Sequence, residues 1–213
     1  MSETQPASSG FDRNRNITLN LKRDGKSVVV RFPSDDELAK RERRMRTFYR
    51  KGSALPEFEH LEEANFELAT AIRVSGDEID ESIANRIVEA VLKAIPDQPV
   101  RGDKGYHIPI TIGKDRQTGE NIQTLHVLRE PSEKEVRKYR ESAIWMGDMR
   151  FGRQEAKTML SAVGNFYDKL FVSAEGYVSK ESIPVTHKSV AVNALLTQIK
   201  EEQELDEIDP EGF

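Results

Sequence analysis

The sequence predicts an α+β fold made of two similar units, each a β-hairpin followed by about three helices. Three observations carry this reading. The stretch Arg129-Glu130-Pro131-Ser132-Glu133-Lys134-Glu135-Val136-Arg137-Lys138 reads as the end of a hairpin turning into a capped helix. Arg31-Phe32-Pro33-Ser34-Asp35-Asp36-Glu37-Leu38-Ala39-Lys40 is a relative of it, with Arg, Pro, Ser, Glu and Lys at the same places, 98 positions earlier. Farther on, Glu81-Ser82-Ile83 is answered by Glu181-Ser182-Ile183 at a separation of 100. Two matches at nearly one separation, in one order of elements, point to a tandem duplication.

The elements follow in order. Residues 1–14 are polar and without period, which predicts a disordered N-terminus. The first unit covers 15–96. Ile17, Leu19 and Leu21 alternate with polar residues, Val28 to Phe32 is rich in β-formers, and Asp24-Gly25 supplies the turn between them. Ser34 and Glu37 form an S-x-x-E capping box, in which the serine accepts from the N3 backbone and the glutamate reaches back to the N-cap. A helix is predicted from Asp35 to Lys51, a second from Leu55 to Ile72 and a third from Asp80 to Ile95, with Val74-Ser75-Gly76-Asp77 as a loop. Pro96-Asp97-Gln98-Pro99 opens a linker over 97–103.

The second unit, 104–200, repeats the order. Tyr106 to Ile112 and Ile122 to Leu128 are the strands, and Ser132 with Glu135 forms the second capping box. Helices are predicted from Glu133, over Gln154 to Phe171 and over Thr186 to Glu201, with Ser173 to Pro184 as a loop. Residues 201–213 read as a disordered acidic tail.

Composition narrows the function. A net charge of −5 argues against general nucleic-acid binding. The absence of cysteine removes disulfides, thiolate catalysis and thiolate metal sites, and suits a reducing compartment. The polar start is no signal peptide, and no apolar run is long enough to span a bilayer, so a cytoplasmic protein is expected. His60, His107, His126 and His187 have no metal-like spacing and read as surface or half-buried residues. No phosphate loop or nucleophile elbow occurs. No catalytic residue, cofactor or metal is assigned, and an enzyme is not expected.

Two features are candidates for partner binding. Over residues 38–51 the first predicted helix carries Arg41, Arg43, Arg44, Arg46 and Arg50, along with Lys40 and Lys51, against Glu42 alone. This is either a solvated face or a docking surface for an acidic partner. Trp145 lies close to Ile144, Met146, Met149 and Phe151, which are either core or an exposed apolar patch.

A hairpin whose second strand ends in Leu128-Arg129-Glu130-Pro131 and flows into a charged helix, followed by helices with a short polar loop over Leu170 to Ile183, resembles the small tail assembly chaperones of tailed bacteriophages. In the first copy, Phe32 stands where the second has Glu130. The resemblance implies a non-enzymatic protein of the host cytoplasm that binds and shields a partner chain, the tape-measure or another tail protein, and is absent from the finished virion. Its pattern is structural, so no functional residue is carried over. The alternatives are a structural virion protein (tail or head–tail connector) and a nucleic-acid-binding regulator using the basic helix 38–51.

Overall fold

The computed structural model describes residues 11–53, 55–114 and 118–206. It is an α+β fold of helices and antiparallel sheets. The elements run β1 (Ile17–Leu21), β2 (Lys26–Val30), α1 (Asp35–Arg44), β3 (Arg46–Arg50), β4 (Pro56–Glu59), α2 (Leu61–Ile72), β5 (Arg73–Gly76) and α3 (Glu81–Leu92). Two short strands follow, β6 (Ile95–Pro96) and β7 (Val100–Gly102). The chain then gives β8 (Gly105–Lys114), β9 (Asn121–Leu128), α4 (Glu133–Ala143), β10 (Ile144–Arg150), β11 (Arg153–Thr158), α5 (Leu160–Leu170), β12 (Phe171–Glu175), a 3₁₀ turn (Lys180–Ser182) and α6 (Val185–Asp206).

The run strand, strand, helix, strand, strand, helix, strand, helix therefore occurs twice, as β1 to α3 and as β8 to α6. The sheet order β1-β2-β5 in the first run has its counterpart in β8-β9-β12 in the second. The backbone N–H of Arg31 donates to the carbonyl of Ile72 at 3.0 Å, and that of Arg129 donates to the carbonyl of Leu170 at 2.9 Å. Both capping boxes form: Ser34 accepts from the Glu37 N–H and Ser132 from the Glu135 N–H, and each glutamate accepts from its N-cap.

The chain gathers into two compact units, neither of which is one continuous stretch. One comprises Arg13–Lys93 and Ser132–Val163. Its three-stranded sheet turns Val28 and Val30 inward, where they are fully buried along with Leu38, Leu68, Ala69, Ile72, Ile83, Ile87 and Val88 from the helices. Asp80 caps α3 by accepting from the Ile83 N–H. The second sheet of this unit has the order β10-β11-β3-β4.

The other unit comprises, of the described residues, 11–12, 94–114, 118–131 and 164–206. Its sheet has the order β12-β9-β8-β6, with β7 also paired to β8. Alternation along β8 buries Tyr106, Ile108 and Ile110, and α6 contributes Ala191, Val192 and Leu195 to the same core. The 97–103 stretch expected as a linker holds β7 and lies in this unit.

Several expected helices are shorter, and strands take their place. The first capped helix ends at Arg44, and Arg46-Thr47-Phe48-Tyr49-Arg50 is strand, with β-branched and aromatic residues at its centre. Pro56, expected near a helix start, sits at the beginning of β4 on a sheet edge, where a missing N–H is tolerated. Gln154 to Thr158, expected as helix, is strand because it lies between β10 and β3 and hydrogen-bonds on both sides. The expected loops at 74–77 and 173–184 begin with β5 and β12. Helix α6 takes in residues 201–206 of the expected acidic tail; residues 207–213 and 1–10 of the expected disordered ends lie outside the described residues.

Candidate binding surface

Side chains alternate across the strands of the β10-β11-β3-β4 sheet, giving two faces of opposite character. One face is ionic. Arg46, Phe48 and Arg50 of β3 stand beside Glu57 and Glu59 of β4 and beside Arg153, Glu155 and Lys157 of β11. Arg46 bonds Glu155 at 2.8 Å, Arg153 bonds Glu59 at 2.8 Å, and Arg50 pairs with Glu57. The Phe48 ring is buried beneath the guanidinium groups of Arg46 and Arg153, 5.1 and 4.6 Å from its centroid. The bond to Arg46 holds the Glu155 carboxyl below its ordinary range.

The other face is apolar. Its rows run Met146, Ala156, Thr47, Phe58 and Met149, Gln154, Tyr49, Pro56. Ala156 at its centre is buried, whereas Met146, Met149 and Phe58, on the two outer strands, are about half exposed. Met146 and Met149 share this face only because β10 carries one extra residue: Met146 pairs with Ala156 and Met149 with Gln154. The extra residue falls at Gly147-Asp148. Gly147 leaves room for the Trp145 ring, since a Cβ there would lie 2.9 Å from its Cη2. Trp145 stands on the ionic face opposite Lys157, whose ammonium lies 5.2 Å from the indole.

Two hairpin tips meet at one end of this sheet, where the Lys51 N–H donates to the Gly152 carbonyl at 3.1 Å. The β10–β11 turn is Phe151-Gly152, with φ of +52° and +74°. These are the signs a two-residue hairpin turn requires, but an aromatic residue adopts them at a cost. The Phe151 side chain is nonetheless fully exposed (103%), and Leu55 on the adjoining tip is 77% exposed. Lys51 and Arg150 adjoin these tips in the sequence and are exposed.

The structure divides the arginines that the sequence grouped. Arg41 is largely buried: its Nε donates to Asn65 Oδ1 at 2.7 Å, and burial lowers its pKa while raising that of neighbouring Glu42. Arg43 and Arg44 are exposed on α1, with Arg44 3.4 Å from Glu67. Arg46 and Arg50 belong to the ionic face of β3. Trp145 is half exposed on β10.

In the other unit, His126 and His187 are buried, contrary to the surface or half-buried placement expected from sequence. His126 Nδ1 lies 2.7 Å from the Tyr167 hydroxyl and its Nε2 2.9 Å from the Tyr177 hydroxyl, which is also 2.9 Å from His187 Nδ1 and 3.1 Å from Thr124 Oγ1. One proton arrangement satisfies this chain with both imidazoles neutral. Tyr167 donates to His126 Nδ1, His126 Nε2–H and His187 Nδ1–H donate to Tyr177, Tyr177 donates to Thr124, and Thr124 donates to the Ile110 carbonyl at 3.4 Å. Burial pushes the His126 pKa down to about 4 and raises both tyrosines. The cluster is a satisfied polar core, enclosed by the ring of Phe11 5.1 Å from that of His187.

Among the described residues no group of three or more His, Asp or Glu side chains is placed to hold a metal ion, and no helix is long and apolar enough to cross a membrane. A hollow of about 510 Å³ between Pro96–Pro99 and α6 is lined by two carboxylates, Asp97 and Glu201, and otherwise by neutral side chains. No protein-family model, no curated protein and no solved structure matches the chain.

Proposed function

We propose that this chain is a non-enzymatic, chaperone-like protein of the phage tail assembly type, which binds and shields a partner chain in the host cytoplasm, and that its two runs of elements are tandem copies. The repeated element order and the matching sheet orders support the duplication. The observation that carries the binding role is Phe151. A bulky side chain is held in solvent on a backbone conformation that disfavours it, and such local cost concentrates at functional positions. Phe151 and Leu55 would serve as an apolar anchor, with Lys51 and Arg150, their neighbours in the sequence, as a basic rim. This combination suits a partner segment with apolar residues flanked by acidic ones, such as an amphipathic stretch of a tape-measure or other tail protein. The arginines of the ionic face are matched by Glu57, Glu59 and Glu155, which gives no support to the nucleic-acid reading.

The test is co-purification with the proteins encoded beside it. Phe151→Ser with Leu55→Ser should abolish capture and leave the circular dichroism spectrum and melting temperature unchanged. Full capture by this variant would overturn the assignment of the anchor. Stable presence of the chain in purified particles would favour a structural virion component instead.

A further inference from the structure

The two outer strands of the β10-β11-β3-β4 sheet differ in how they meet solvent. Strand β4 is four residues long, opens with Pro56 and carries Glu57 and Glu59. Short length, proline and charge are the usual protections of a sheet edge against pairing with another chain. Strand β10 is seven residues long, Ile144-Trp145-Met146-Gly147-Asp148-Met149-Arg150, and is exposed at nearly every position. It has no proline and no lysine, and Ile144, Trp145, Met146 and Met149 are each about half exposed. Among the described residues no strand pairs with its outward N–H and C=O groups. A free edge of this kind takes another extended strand.

The sequence of β10 specifies which strand. We propose that β10 pairs antiparallel with β10 of a second copy, about a two-fold axis at Gly147-Asp148, joining the two four-stranded sheets into one. In this register Met146 faces Met149 of the second copy, and Trp145 faces Arg150 of the second copy; each contact occurs twice. The extra residue at Gly147-Asp148 makes this possible. It puts Met146 and Met149 together on the apolar face, and Trp145 and Arg150 together on the ionic face, where Arg150 stands beside Arg153. Without it, residues 146 and 149 would point to opposite faces, and every pair across the axis would be mismatched. The pairing thus sets thioether against thioether and guanidinium against indole, the latter a favourable cation–π pair. A symmetric interface closes on itself, consistent with one bare edge and one protected edge on each chain.

This proposal does not rest on the Phe151 anchor, and separate variants test the two. Sedimentation equilibrium of the full chain should give twice the monomer mass in the micromolar range. Met149→Lys should give the monomer mass with an unchanged circular dichroism spectrum, whereas Phe151→Ser should remain dimeric. The chain has no cysteine, so one introduced cysteine reports on the axis without background. Asp148→Cys should form a covalent dimer on mild oxidation, and Glu57→Cys on the protected edge should not. A monomeric wild-type chain would overturn the proposal. So would a dimer that survives Met149→Lys, or equal cross-linking from both edges, since each would place the contact elsewhere; capture of a different protein by β10 in place of a second copy would do the same.

Discussion

Arg41 on α1 donates to the side-chain oxygen of Asn65 on α2 at 2.7 Å, and Asn65 donates in turn to Asn85 on α3 at 2.7 Å. One arginine of the basic cluster thus ties three helices together through a buried amide; Asn65 is 4% exposed. Arg41→Ala would leave the Asn65 oxygen without its donor, which for a buried group costs about 1–3 kcal/mol. Arg43→Ala, on the exposed side of the same helix, should change stability by less than about 0.5 kcal/mol. Urea melts of the two variants measure the contrast, and equal effects would contradict this division.

The two capping boxes should contribute alike. Ser34→Ala and Ser132→Ala should each lower stability by about 1 kcal/mol in the same melts. In the first box Glu37 is also bonded by Arg31 at 2.6 Å, which with Ser34 holds its carboxyl down at about 2. A carboxyl depressed in the folded state stabilises above its unfolded pKa, near 4.5, and that stabilisation is lost as pH falls through about 2. Glu37→Gln should therefore destabilise the chain at neutral pH and less so in strong acid.

His126 gives a second, separable acid dependence. Burial lowers its pKa from 6.5 to about 4, so the folded chain binds a proton less readily than the unfolded chain. Stability is complete above the unfolded value and declines as pH drops from about 6.5 towards about 4, by on the order of 3 kcal/mol in total. His126→Gln should flatten this part of the stability–pH curve while weakening the fold at neutral pH, where the bond from Tyr167 is lost. A wild-type curve that is level between pH 6.5 and 4.5 would show that His126 is not enclosed.

Glycines distinguish themselves by what a methyl group would meet. Gly76, at the end of β5, has φ of +95°, and a Cβ there would lie 2.4 Å from the Ser27 carbonyl oxygen. Gly76→Ala should therefore cost more than about 1 kcal/mol. Gly113 on β8 has open space around it, and Gly113→Ala should be tolerated. Melting temperatures of the two variants decide the matter.

What could be read from the sequence follows the reach of local interactions. The capping boxes, the first strand and turn of the first hairpin and the existence of the third and last helices depend on residues a few positions apart, and each is found close to where the sequence puts it, with the return strand of that hairpin two residues earlier than expected. Arg153-Gln154-Glu155-Ala156-Lys157-Thr158 has no β-signal of its own; its strand exists because β10 and β3 flank it, and β3 is remote in sequence. The helix expected over residues 35–51 forms only to Arg44, for a different reason. Its arginines obscured the two-residue period of Arg46, Phe48 and Arg50. The buried histidine was within reach, because Thr124, His126 and Leu128 occupy alternate, inward positions of β9. Exposure at Trp145 was not, since the same residues would suit a core.

The contact between β3 and β11 also fixes an order of events during synthesis. Arg46 and Glu155, bonded across that joint, are 109 residues apart. When the ribosome has completed the first hairpin and α1 to α3, the ring of Phe48 still lacks Arg153, and β3 has an open side. That side closes only after β11 emerges, across a long loop whose entropy must be overcome first. The nascent N-terminal half therefore carries β3 with one side uncovered until residues 153–158 have emerged.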